Sequence, residues 1–134
     1  MRHLFASALL AVSPLPALAA EPLSAQAFES YVDGKTLYFG MAGQSYGVEE
    51  YLPDCRVRWS FLDGKCKEGY WYEADAGQIC FVYEDAPEDP QCWSFFNEGS
   101  KLRAVFENDP TATVLYEARQ NDEPMMCYGP DVGV

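Results

Sequence analysis

The chain has 134 residues, with 21 acidic against 9 basic side chains and a formal charge of −12, which is enough length for one domain. Such a charge repels phosphate backbones and anionic membrane surfaces, so nucleic acid is not an expected partner. His3 is the one histidine, and five cysteines are spread over the rest of the chain.

Arg2 and His3 give a short basic start, Leu4 to Val12 an apolar run, and Pro14 and Pro16 a break. Ala17-Leu18-Ala19 then supplies small residues where a signal peptidase reads, so residues 1–20 are expected to be a secretory leader cleaved after Ala19 or Ala20. Residues 21–134 are expected to form a single domain. The apolar run is far shorter than the ~20 residues that span a bilayer, and no later run reaches that length, so no membrane anchor is expected. Without the leader the chain keeps 8 basic and 21 acidic residues and no histidine. That removes Ser-His-Asp and Cys-His nucleophilic machinery and histidine-containing zinc sites.

Five cysteines in a small exported domain imply two disulfides and one remaining thiol. No C-x-x-C pair occurs, which argues against a thioredoxin-like redox site and a zinc ribbon.

Ser24 is a helix N-cap, Leu23 can staple onto Phe28, Tyr31 and Val32 continue that face, and Gly34 ends it. This short helix is expected to cover an opening or edge of a sheet. From Lys35 the apolar period becomes two, with turn residues every eight to twelve positions. Strands are expected at Leu37–Phe39, Tyr46–Leu52, Arg56–Leu62, Lys67–Glu73, Gln78–Glu84, Gln91–Phe96, Lys101–Phe106 and Thr113–Ala118. Eight short antiparallel strands, each beside the next, suit an all-β up-and-down barrel.

Around Asp63-Gly64 a two-residue turn would oppose Glu68 to Trp59. A Gly64 bulge instead sets Arg58 opposite Tyr70 and Ser60 opposite Glu68, with Val57, Trp59 and Phe61 sharing a face with Gly69 and Trp71. The bulged register is the expectation, with Gly69 leaving room for the Trp59 indole. In the next hairpin, Cys80 and Cys92 fall on one face of adjacent strands and are paired. Cys66 with Cys127 would tie the tail to the barrel, leaving Cys55 as the free thiol, although four cysteines allow three connectivities.

The runs Tyr51-Leu52-Pro53-Asp54, Val57-Arg58-Trp59, Gly69-Tyr70-Trp71-Tyr72, Ile79-Cys80-Phe81-Val82-Tyr83-Glu84 and Cys92-Trp93, with the ending 126–134, resemble a family of small exported bacterial proteins of unknown function. The resemblance spans most of the chain after the leader and brings no assigned activity. Members of that family lack a cysteine where this chain has Cys55, which agrees with the pairing above. Gly69-x-Trp71 is also similar to the element with which lipocalins and other calycin barrels pack a tryptophan across the barrel floor, although here it sits in mid-chain.

Three places are candidates for function. The barrel interior behind Trp59, Trp71, Phe81 and Trp93 is the expected binding site for a small apolar ligand, with 19 aromatic residues after the leader available to line or to fill it. Arg56, Arg58 and Tyr70 form a surface patch where guanidinium groups can stack on rings and meet an exported protein partner. Glu84, Asp85, Glu88 and Asp89 crowd one loop, but EF-hand spacing is absent and Pro87 and Pro90 stiffen it, so a solvated turn and no metal is the reading. No stretch carries a catalytic constellation or a cofactor motif. The expectation is a non-enzymatic binding module in the periplasm or outside the cell, or alternatively a protein-interaction or inhibitor module with a packed barrel.

Overall fold

The computed structural model describes residues 11–15, 20–109 and 113–127, apart from the side chain of Ala76. Most of the expected leader and the ending beyond Cys127 therefore lie outside the described residues. A helix α1 (Ala25–Val32) precedes strands β1 (Thr36–Met41), β2 (Gln44–Tyr51), β3 (Arg56–Ser60), β4 (Lys67–Glu73), β5 (Ile79–Tyr83), β6 (Gln91–Glu98), β7 (Lys101–Phe106) and β8 (Val114–Asn121). A single 3-10 turn, Asp75–Gly77, joins β4 to β5. Each strand pairs antiparallel with its sequence neighbour, and β1 pairs with β8, so the sheet is a closed eight-stranded up-and-down barrel with no free edge.

Helix α1 starts where Ser24 caps it, its Oγ accepting a 3.1 Å hydrogen bond from the Ala27 N–H, and ends before Gly34 at φ 71°. The Leu23 N–H bonds the Phe95 carbonyl at 2.7 Å and fixes the helix to the sheet. Phe28, fully buried, drops into one end of the barrel against the rings of Tyr51, Trp71, Phe81 and Phe95, at centroid distances of 5.7, 5.3, 6.4 and 4.5 Å. The helix is thus a plug. Tyr31 anchors its far side, donating to Glu117 Oε1 at 2.6 Å. Glu117 is buried but well supplied, since the Leu102 N–H and Gln120 Nε2 also donate to it at 3.2 and 3.0 Å.

The bounds of β4 and β7 match expectation, whereas β3 stops at Ser60. Phe61 and Leu62 belong to the loop and are half-exposed, Leu62 at φ 67°. This early stop changes the β3–β4 register from the bulged one. Val57 faces Gly69, Arg58 faces Glu68 and Arg56 faces Tyr70. The loop of six residues, 61–66, replaces the tight bulged turn, and the shift brings Arg58 onto Glu68 at 3.0 Å. Because the shift is two residues, Val57, Trp59, Gly69 and Trp71 still share the inner face. Gly69, however, makes room for something other than Trp59: a β-carbon there would collide with the Val82 carbonyl and the Tyr83 ring. The glycine under the Trp59 indole is Gly47, where a β-carbon would collide with the six-membered ring.

Cys80 bonds Cys92 across β5 and β6, as the strand faces suggested, while Cys66 bonds Cys127 and Cys55 is free, the arrangement expected from tying the tail to the barrel. The tail after β8 crosses the outer face of β1 to β3. Glu123 accepts from Thr36 Oγ1 at 2.7 Å, the Met125 N–H donates to Glu50 at 3.1 Å, and the Cys66–Cys127 bridge clamps its end to the β3–β4 loop. Val48 and Ser60, which point outward, are buried beneath it.

Candidate functional site

With α1 filling one end, access to the interior lies at the other, where the β1–β2, β3–β4 and β5–β6 connections form a rim. Inner residues of β2 to β6 converge there. Phe81 and Tyr83 alternate inward from β5 and stack at 6.3 Å with planes 9° apart. Trp59 meets Tyr46 and Phe61 at 6.0 and 5.4 Å. Between these rings remains a cavity of about 50 Å³, open toward the rim and lined also by Trp93, Phe95 and Glu49. That is enough for a few water-sized groups and well below the ~300 Å³ at which drug-sized ligand pockets begin. Beside it, between the β3–β4 loop and Glu84–Asp85, lies an open groove of about 330 Å³ that shares Trp59, Phe61 and Lys67 with the cavity.

Of the expected interior residues, Trp59, Phe81 and Trp93 line this cavity, while Trp71 lies at the plugged end in edge contact with Phe28. The residue that sequence reasoning missed is Glu49. It is 2% exposed, inward on β2 between Leu37 and Trp59, with Oε1 accepting from the Tyr83 hydroxyl at 2.9 Å. Its Oε2 is buried without a hydrogen-bond partner among the described residues. Burial holds the carboxyl well above the usual carboxylate range, more than the Tyr83 hydrogen bond and the charge of Lys67 can offset. The same burial, with the nearby acid, pushes the Tyr83 and Tyr51 phenols up.

Lys67, inward at the start of β4, stands at the rim. Its ammonium lies 4.7 Å from the centre of the Tyr83 ring, 5.5 Å from that of Phe61 and 3.5 Å from Asp85 Oδ2. Asp85 lies in a solvent-exposed turn, as expected, and from there its carboxylate reaches Lys67.

The surface patch is organised differently from expectation. Arg58 is held between Glu68 at 3.0 Å and Glu50 at 3.6 Å, and Tyr70 packs beside Tyr72 at 6.4 Å. Arg56 lies opposite Tyr70 and is exposed. The cation–ring contacts among the described residues come from Lys35, Lys67, Arg103 and Arg119. The patch is thus largely neutralised by its own strand neighbours.

Cys55 is half-buried at the plugged end, and burial, followed by the charges of Glu29 and Asp54, raises its thiol above the ordinary range, which disfavours the reactive thiolate. Compared with protein-family models, with curated proteins and with solved structures, the chain matches none.

Proposed function

We propose that the protein is a non-enzymatic binding module that takes a small, largely apolar ligand into the mouth of its barrel. One observation carries this reading: an aromatic-walled cavity, open at the unplugged end, is lined by Glu49, a residue with one buried carboxyl oxygen that has no hydrogen-bond partner among the described residues. Natural interiors satisfy nearly all their buried polar atoms, and the exceptions collect at sites of function. The two disulfides are consistent with an oxidising, exported environment. Periplasmic or extracellular placement after loss of the leader belongs to this proposal. So does the calycin-like character suggested by Gly69-x-Trp71, and with it the likeness to a family of small exported bacterial proteins.

Native mass spectrometry of the protein purified from its own host tests the reading. A reproducible small-molecule adduct, weakened or lost in Glu49→Leu, is expected. A second reading, in which the barrel is a packed scaffold for an exported protein partner, is favoured by the small size of the cavity, about 50 Å³. A co-purifying polypeptide with no small-molecule adduct would replace the first reading by the second.

A further inference from the structure

Resting on the binding reading above, we infer that the cavity recognises the carbonyl end of a slender, neutral and otherwise apolar molecule, with the Glu49 carboxyl as the hydrogen-bond donor. The chemistry follows from the buried acid among the residues lining the cavity, Glu49. Glu49 has one donor, the Tyr83 hydroxyl, and none of the ion pairs among the described residues involves it. Glu117, buried in the same barrel, accepts three hydrogen bonds. A carboxylate enclosed by rings with one donor is poorly compensated, so Glu49 takes the acid form. Because Oε1 accepts from Tyr83, the proton sits on Oε2, the atom without a partner. The Tyr83 proton is committed to Glu49. Among the residues lining the cavity, what the Glu49 carboxyl offers a ligand is therefore a donor, and the group complementary to it is an acceptor.

Charge selects among acceptors. Lys67 at the rim opposes the entry of an alkylammonium ion, and its own positive charge is already shared with Asp85 and two rings. An anion approaching the pocket meets a protein of net charge −12 and would lose its hydration among aromatic walls. A neutral carbonyl, as in a primary amide or a ketone, meets neither penalty. Size selects the shape. A cavity of about 50 Å³ admits a leading group of a few heavy atoms. The remainder of the molecule would lie in the open groove along Trp59, Phe61 and Lys67.

Three probes of matched length separate the possibilities: butyramide, n-butylammonium and n-pentane, titrated at pH 7 into the full protein while the Trp59 and Trp93 indole N–H resonances are followed by NMR. Saturable shifts of both indoles with butyramide are expected, together with affinity about tenfold lower in Glu49→Leu. Glu49→Gln keeps an N–H donor in place and should bind butyramide within about threefold of the native protein. Circular dichroism checks that both variants fold, and a failure of the leucine variant leaves the comparison of probes and the glutamine variant to decide. Preference for butylammonium or pentane, or loss of butyramide binding in Glu49→Gln, overturns the carbonyl assignment but leaves a binding cavity. If none of the three probes moves either indole, the binding reading falls with it.

Discussion

Replacing Glu49 by Gln should stabilise the protein, and by an amount that grows with pH. In the unfolded chain the acid loses its proton above its ordinary value of 4.5, whereas burial in the barrel keeps it protonated well above that. Between those two points the folded state binds one proton more than the unfolded state. Stability of the native protein then falls as pH rises, by about 1.4 kcal/mol per unit, and the contribution is fully present below pH 4.5. Gln copies the protonated acid in shape, its carbonyl still able to accept from Tyr83, but carries no titrating proton. The two proteins should therefore be similar near pH 4 and separate by about 1.4 kcal/mol between pH 5 and pH 6. Urea unfolding followed by near-ultraviolet circular dichroism reads this directly. With a slope near 2 kcal/mol/M, the midpoint difference widens by about 0.7 M over that unit. The Tyr51 and Tyr83 phenols are pushed up from an ordinary value of 10.0 and do not titrate in this window. A difference that stays constant from pH 4 to pH 7 would show that Glu49 is ionised in the folded protein and would refute the donor assignment.

Three further outcomes follow from the packing. Phe28→Ala removes the plug from four rings and should cost about 3–5 kcal/mol, seen as a fall in Tm of at least 10 °C; a fall of under 3 °C would make α1 a peripheral cover. Gly47→Ala puts a methyl group into the Trp59 indole, so it should cost about 1–3 kcal/mol and alter tryptophan fluorescence, whereas wild-type emission and stability would mean that the indole sits elsewhere. Removing the Cys66–Cys127 bridge, which closes a separation of 61 residues, should cost about 4 kcal/mol, and removing Cys80–Cys92, with a separation of 12, about 3 kcal/mol. Thermal melts of the two double Cys→Ser variants compare them, and a larger loss for Cys80–Cys92 would show that chain entropy is not the controlling term.

The period-two pattern and the turn spacing were sufficient to read an eight-stranded barrel, and the parity of Cys80 and Cys92 to read their bridge. Those features depend on local alternation, which a sequence records directly. Glu49 was hidden because β2 offers apolar residues at both parities, Tyr46 and Val48 on one and Tyr51 on the other. The register shift between Phe39 and Gly40 leaves Tyr46 without an opposite residue on β1, and Tyr46 and Glu49 then both line the cavity. The tail compounds the difficulty by burying Val48 on the outside of the barrel, so an apolar side chain no longer marks the inner face. The β3–β4 register was illegible for another reason. Ending β3 at Ser60 frees Phe61 to meet Trp59 and Tyr46 edge-on at the rim, an interaction between a loop and two strands that no local rule contains.

The pairing of β1 with β8 joins Thr36 to Asn121 and completes the ring of strands. Until residue 121 is in place, the growing sheet keeps two edges able to pair with any neighbouring chain. The last stave of the barrel is therefore also its safety catch: a chain truncated before β8 would have seven strands' worth of sheet and nothing to cap its first edge, and should polymerise edge to edge. The long reach of this seam also makes folding slow relative to a helical protein of equal size, which prolongs the interval of exposure.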